Sequence, residues 1–161
     1  MSFSGSNSLV MQKLDSNFAD FLRLLNSHGV KYLVIGGYAV GYHGHVRATG
    51  DLDIFVEVSP KNADALVTVF REFGMNTPKL RRELFLENEK IVRIGVPPLR
   101  IEVLNGISGV AFAECYEKRV EDVIEGIRIA FIDRQSLLKN KTASGRPNDV
   151  ADVAALTKKP K

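Results

Sequence analysis

Apolar residues near the start of the chain recur every three or four positions, which is the period of an amphipathic helix. Between Ser8 and Ser27 these positions are Leu9, Val10, Leu14, Phe18, Phe21, Leu22 and Leu25. The pattern stops at His28 and Gly29, and glycine is favoured just beyond a helix C-terminus. The spacing therefore predicts a first helix from Ser8 to Ser27.

Shorter apolar runs, rich in β-branched and aromatic residues, predict the strands. These runs are Lys31–Ile35, Leu52–Val58, Ile91–Ile94 and Leu99–Leu104, with Val123–Ala130 as a minor strand pair. Gly95-Val96-Pro97-Pro98 joins the third run to the fourth and is typical of a hairpin turn.

Further helices are indicated by helix-start and helix-stop residues around the remaining periodic segments. They are Tyr38–His43, a helix that Pro60 opens and that closes near Gly74, Asp133–Thr142 and Pro147–Thr157. The polar segment from Thr77 to Glu89 predicts no clear element. Together the pattern predicts an α/β (α+β) fold in which helices flank a mixed, mostly antiparallel central sheet.

Length and charge narrow this picture only a little. The 161 residues are 45% hydrophobic and 25% charged, and a globular chain of this length buries a sizeable core as one domain. We expect a single domain over residues 1–161, with an N-terminal helix (1–29), a sheet core (30–132) and a C-terminal helix pair (133–161). The net charge of +3 leaves a polyanionic partner open without favouring one.

Nothing in the sequence indicates export or membrane insertion. The first residues lack the basic region and apolar run of a signal peptide, and no later apolar run approaches the roughly 18 residues of a membrane span. The single cysteine, Cys115, forms no internal disulfide and is expected as a packed apolar residue. We therefore expect a cytoplasmic protein without a membrane partner.

Two acidic residues stand at the start of the second predicted strand. Asp51 and Asp53 are two positions apart, so their side chains leave one face of the strand about 6.5–7 Å apart. With both ionised, an effective dielectric constant of about 20 gives a repulsion of about 2–3 kcal/mol, so a positive partner is expected. Such a pair can hold divalent ions such as Mg²⁺ against substrate phosphates, and turn or capping aspartates are an equal alternative.

Residues before the acids favour the metal interpretation. Gly36-Gly37 follows a strand and precedes a helix, where backbone N–H groups can approach an anion without a Cβ in the way. Arg47 and Thr49 can brace the carboxylates or contact phosphate. A surface arginine and a threonine that merely begins a strand are the alternatives for these two residues.

A third acid lies in a later apolar strand. Glu102 follows Arg100 by two positions, so both side chains leave the same face, and an acid in such a strand needs a partner. If that strand lies beside the strand of Asp51 and Asp53, three carboxylates converge.

These motifs together resemble those of the nucleotidyltransferase superfamily with the polymerase-beta-like fold. That family has Gly-Gly or Gly-Ser at the head of a helix, then Asp-x-Asp, then a third acid on a later strand. The matching residues are Gly36-Gly37, Arg47–Ile54 and Arg100–Val103. Leu137–Val153 resembles the Lys…Arg…Asp…Asp helix pair of small bacterial and archaeal members, some of which belong to toxin/antitoxin or abortive-infection systems.

The resemblance implies an enzyme that moves a nucleoside monophosphate from a nucleoside triphosphate, ATP among the donors, to a hydroxyl of an RNA, a protein or a small molecule. It implies Mg²⁺ or Mn²⁺ on the catalytic and metal-binding residues Asp51, Asp53 and Glu102. It implies nucleotide contacts at Gly36, Gly37, Arg47, Thr49 and Lys141. An exposed lysine is an equal alternative for Lys141.

The resemblance also leaves other interpretations open. In the C-terminal helices, Arg146 and Asp149 are expected to pair between the helices, and Asp152 to be solvated or capping. Tyr38 stands where many relatives have serine, and Glu102 where aspartate is usual. Both departures favour a nucleotide- or partner-binding module of the same fold with little turnover, as within a toxin/antitoxin pair. The base, the acceptor and the oligomeric state stay open, and a partner protein or a second copy of the chain is a candidate partner.

Overall fold

The computed structural model describes residues 14–96 and 99–158. Its helices are α1 (Ser16–Ser27), α2 (Gly36–Tyr42), α3 (Pro60–Glu72), α4 (Phe112–Glu117), α5 (Arg134–Ser144) and α6 (Pro147–Thr157), with a 3₁₀ helix at Arg82–Phe85. Its strands are β1 (Tyr32–Ile35), β2 (Asp51–Val56), β3 (Ile91–Val96), β4 (Leu99–Leu104), β5 (Val120–Ile124) and β6 (Ile127–Phe131).

The strands form one sheet in the order β3-β4-β2-β1-β6-β5. β1 is antiparallel to β2, β3 to β4 and β5 to β6, whereas β2 runs parallel to β4 and β1 parallel to β6. The predicted fold class, a mixed and mostly antiparallel sheet flanked by helices, is confirmed. None of the helices in residues 14–96 and 99–158 combines the length and apolar character that crossing a bilayer requires.

The first helix begins later than its apolar period predicts. Asp15 caps α1, and its side chain accepts a hydrogen bond from the backbone N–H of Asn17 at 2.9 Å. Leu14 and Asp15 therefore precede the helix, and the prediction that it runs through them is wrong, because a local cap overrides the hydrophobic period. The rest of the predicted start, from Ser8 onward, lies outside the described residues.

Three further boundaries differ from the sequence pattern. The helix predicted from Tyr38 to His43 is α2, and it begins two residues earlier, at Gly36, so that the glycine pair belongs to it. β5 and β6 are full members of the sheet, with β6 beside the central β1, and not a minor pair. α4 has only 6 residues, too few for a helical period to show in the sequence. The hairpin between β3 and β4 is confirmed by their antiparallel register, while its Pro97 and Pro98 lie outside the described residues.

Aromatic side chains join the helices to one another and to the sheet. Phe21 of α1 meets Phe70 of α3 edge to face, with ring centroids 5.6 Å apart. Tyr42 of α2 stacks on Phe131 of β6 at 4.1 Å. Cys115 is buried in the same core, as predicted. The rings hold α2 against the middle of the sheet, which positions the glycine pair at its start.

Candidate active site

Three strand ends bring the predicted acids to one edge of the sheet. β1 ends at Ile35, which lies opposite Asp53 in the antiparallel β2. β4 begins at the same edge because it runs parallel to β2, and its Glu102 lies opposite Asp53. Asp51, two positions earlier, leaves the same face of β2 as Asp53. The structure therefore places β4 beside β2, as the convergence of the three carboxylates requires.

The acids offer a ligand set for a divalent ion. One oxygen from each of Asp51, Asp53 and Glu102 lies within 4.8 Å of the others. Asp53 Oδ1 is buried and has no hydrogen-bond partner within residues 14–96 and 99–158. An unpaired buried oxygen costs about 1–3 kcal/mol, which a bound cation would offset. Three carboxylate oxygens are hard donors, so the site fits Mg²⁺ or Mn²⁺.

Asp53 is the acid whose ionised form is most disfavoured in this arrangement. Burial raises the pKa of Asp53 to about 7, and the carboxylates of Glu102 and Asp51 add to the rise, while the ammonium of Lys141 opposes it. The first effect disfavours any charge away from water, and the second disfavours a further negative charge beside two others. A divalent cation would relieve both penalties.

Two arginines on the neighbouring strands already bind the acids. Arg100 Nη2 donates to Asp51 Oδ2 at 3.1 Å, and Arg93 Nε donates to Glu102 Oε2 at 2.9 Å. The sequence marked Arg100 only as sharing a face with Glu102, and did not single out Arg93. The role of Arg93 follows only from the pairing of β3 with β4, which places Arg93 opposite Glu102.

The absence of side chains at Gly36 and Gly37 lets the start of α2 lie close to Asp53 and Thr49. Gly36 has φ +69°, and a Cβ there would lie 2.2 Å from Asp53 Oδ2. A Cβ on Gly37 would lie 2.7 Å from Thr49 Oγ1. Thr49 in turn donates to the Asp51 carbonyl at 3.3 Å. The pair is thus required for the close approach of α2 to Asp53 and Thr49, a demand that the sequence pattern did not show.

Gly36→Ala is expected to destabilise the protein by about 2–4 kcal/mol, because it adds a positive-φ penalty to a clash with Asp53. Gly41→Ala, in the same helix, meets nothing within 4 Å and is expected to be neutral or to stabilise by up to about 1 kcal/mol. Urea unfolding of both variants measures the difference. Equal stability of the two would contradict the close approach.

Arg47 and Lys141 both bind the buried Asp152 and so belong to one charge network. Arg47 does not brace Asp51 or Asp53; its Nε and Nη2 donate to the two carboxylate oxygens of Asp152 at 2.9 and 2.8 Å. Lys141 Nζ lies 3.1 Å from Asp152 and 3.1 Å from Asp149. Asp152 and Lys141 are both buried. The expectation of a solvated or capping Asp152 is therefore wrong, and so is the alternative that Lys141 is an exposed lysine. A buried charge needs such partners.

The predicted pair of Arg146 and Asp149 is present at 2.9 Å. It lies within the first turn of α6, however, because Arg146 is the cap residue of that helix. Lys141 of α5 is the residue that reaches across to Asp149 of α6. Burial by itself would raise the pKa of Asp149, but hydrogen bonds with Ser144, Arg146 and Lys141 outweigh it and hold the pKa well below its usual range.

Comparisons with known proteins identify the family and the fold of this chain. The family model described as "Nucleotidyltransferase of unknown function (DUF6036)" matches residues 12–157. A search of curated proteins finds no match. Among solved structures, the lincosamide antibiotic adenylyltransferase LnuA, with lincomycin bound, aligns with a TM-score of 0.55 and 13% identity over 90% of this chain and 97% of that chain. At that identity the likeness shows a shared fold.

Proposed function

The chain belongs to a family of nucleotidyltransferases of unknown function, and from this premise we propose that it transfers a nucleoside monophosphate from a nucleoside triphosphate to a hydroxyl acceptor at Asp51, Asp53 and Glu102. The observation that carries the proposal is the meeting of three carboxylate oxygens within 4.8 Å. The buried Asp53 Oδ1 supports it, because within the described ranges no protein group makes a hydrogen bond to that oxygen.

Asp51, Asp53 and Glu102 would hold Mg²⁺ or Mn²⁺. When bound, the ion would neutralise the charge on the transferring phosphates and make the acceptor hydroxyl more acidic. Asp51 and Asp53 keep their carboxylates on one face of β2 and so orient the ligand set. Glu102, on the neighbouring strand, is the base that we assign to the hydroxyl proton. The acceptor oxygen then bonds to the α phosphorus while pyrophosphate leaves.

The nucleotide contacts follow from the surroundings of the acids. Gly36 and Gly37 have no side chains to block the triphosphate at the start of α2, and Thr49 lies beside them. Lys141 and Arg47 are bound to Asp152, so we propose that they act on the phosphates through their charge and not by direct contact. The effect of the Lys141 charge on the Asp53 pKa supports such reach.

A small hydroxyl-bearing molecule is the acceptor that we place first. The solved neighbour is an antibiotic adenylyltransferase, and its alignment with this chain covers 97% of the neighbour's length. The net charge of +3 is low for an RNA-binding enzyme, which would need a concentrated basic surface. RNA and protein acceptors are therefore comparison arms of the test.

A second candidate is a binding module of the same fold without turnover, with a role beside a partner such as an antitoxin. The specific observation in its favour is that Arg100 and Arg93 already bind Asp51 and Glu102. The module would hold a nucleotide or a protein without loading the metal.

Incubation with each of the four α-labelled nucleoside triphosphates tests the two candidates. The acceptor arms are a panel of hydroxyl-bearing antibiotics, total tRNA and a protein extract, each with Mg²⁺, with Mn²⁺ and with EDTA. We expect label on a small acceptor that depends on the metal. Bound nucleotide without transfer in every arm would contradict the enzyme and support the binding module.

A further inference from the structure

Arg100 contacts two of the three acids at once. Its Nη2 donates to Asp51 Oδ2 at 3.1 Å, and its Nε lies 3.4 Å from Glu102 Oε2. That Nε is buried and makes no hydrogen bond to any residue in the described ranges. The guanidinium is therefore bound by charge to both carboxylates, but only one of the contacts has hydrogen-bond geometry.

Arg93 is a natural comparison for Arg100. It reaches Glu102 alone, and its side chain is 53% exposed against 30% for Arg100. The two guanidinium groups bring two positive charges to three carboxylates. Arg100 is the one that joins Asp51 of β2 to Glu102 of β4, and both carboxylates belong to the ligand set that a divalent ion would use.

We propose that Arg100 makes loading of the divalent ion depend on the triphosphate. The inference rests on the proposed function of the same site. Arg100 neutralises Asp51 and Glu102 when no ion is bound, which lowers the affinity for the metal alone. A triphosphate at the glycine pair attracts the guanidinium away from Asp51, and the freed carboxylate then accepts the ion that arrives with the nucleotide.

Arg100 could change the affinity for a divalent ion in two opposite ways, by charge repulsion and by orienting the ligands. At a separation of about 6 Å in water, Coulomb repulsion between a unit charge and a divalent ion corresponds to about a ten-fold loss of affinity, and less solvent would make the loss larger. A group that orients metal ligands acts oppositely, and its removal costs about 10–100-fold in affinity. Orientation is the smaller role in this proposal, because the pairing of β2 with β4 already fixes the backbone of Asp51 and leaves only the side-chain rotamer to Arg100.

Binding of Mn²⁺ alone, followed by electron paramagnetic resonance, tests the first half of the proposal. Arg100→Gln is expected to bind Mn²⁺ about ten-fold or more tightly than the parent protein. Arg93→Gln removes the same charge from a more exposed position and is expected to change the affinity less. Arg100→Lys keeps the charge and is expected to bind Mn²⁺ like the parent, so a gain in this variant would overturn the charge argument.

Binding of inorganic tripolyphosphate in EDTA, followed by calorimetry, tests the second half. This probe carries the phosphates without a base, and we expect Arg100→Gln to bind it several-fold more weakly than either the parent or Arg93→Gln. If Arg100→Gln bound tripolyphosphate as the parent does, the role of Arg100 would be overturned. The same holds if this variant bound Mn²⁺ no more tightly than the parent. In both cases the proposed metal site itself would stand. No Mn²⁺ binding by the parent or any variant, with or without tripolyphosphate, would overturn the metal site and the role of Arg100 with it.

Discussion

Asp53→Asn is expected to abolish nucleotidyl transfer and yet leave a protein that is folded and no less stable. The amide keeps the shape of the side chain but supplies no negative charge to the ligand set. Loss of one preorganised charged group at a reacting centre costs about 10²–10³-fold in rate, and loss of a metal ligand is expected to cost at least that much. The measurement is label transfer to the acceptor found with the parent protein.

The stability of Asp53→Asn separates a functional from a structural role. In the metal-free protein the pKa of Asp53 is raised from 3.8 to about 7. The native state therefore binds more protons than the unfolded state between about pH 4 and 7, so Asp53 lowers stability as the pH rises through that window. Above about pH 7 the penalty is complete, and we place it at about 1–3 kcal/mol after allowing for solvent.

Urea unfolding in EDTA at about pH 5 and about pH 8 measures this penalty. The variant should be more stable than the parent at the higher pH and closer to it at the lower. Asp20→Asn is the matched control, since Asp20 is an exposed residue of α1 that pairs only with Arg23 among the interactions described for it. Retained transfer in Asp53→Asn, or a stability below that of the parent at the higher pH, would refute the assignment.

Lys141→Met is expected to destabilise the protein by about 3–5 kcal/mol. The variant leaves the carboxylates of Asp149 and Asp152 buried beside an apolar side chain. Removing the buried partner of an ion pair has a cost of this order, because Asp152 then keeps only Arg47 and Asp149 only Arg146 as cationic partners, and both arginines are more exposed than Lys141. The measurement is urea unfolding followed by circular dichroism, at neutral pH where both aspartates are ionised.

Arg146→Gln is the matched control for Lys141→Met. Arg146 binds the same Asp149, but its side chain is 76% exposed, so its loss is expected to cost at most about 1 kcal/mol. A double variant that adds Asp152→Asn to Lys141→Met should recover part of the stability, because one stranded charge is removed. Equal effects of Lys141→Met and Arg146→Gln would show that the lysine is not buried between the two aspartates.

Much of the candidate site was accessible from sequence because its signals are local. Asp51 and Asp53 interrupt an apolar strand, and period two puts both on one face. Glu102 stood out for the same reason in a second strand. What period cannot give is which strands are neighbours, and the pairing of Asp53 with Glu102 is a property of the sheet.

The roles of the basic residues were the least accessible from the sequence. Arg47 next to Asp-x-Asp suggested a brace for those acids, yet it binds Asp152, 105 positions further along the chain. Arg100 was noted only for its face, and it binds Asp51. A long charged side chain can reach several carboxylates, so the one with which it pairs depends on which segments pack around it.

The amino-acid sequence by itself determined the order of the strands and of the helices other than α4, the face of β2 that carries the acids and the membership of a nucleotidyltransferase family. These follow from patterns within short segments, where the backbone period alone decides which side chains share a face. Only the tertiary structure decided that Lys141 is buried, that Gly36 makes room for Asp53 and that two arginines pair with Asp51 and Glu102. Burial and ion pairing are properties of distant segments brought together, and no local pattern records them.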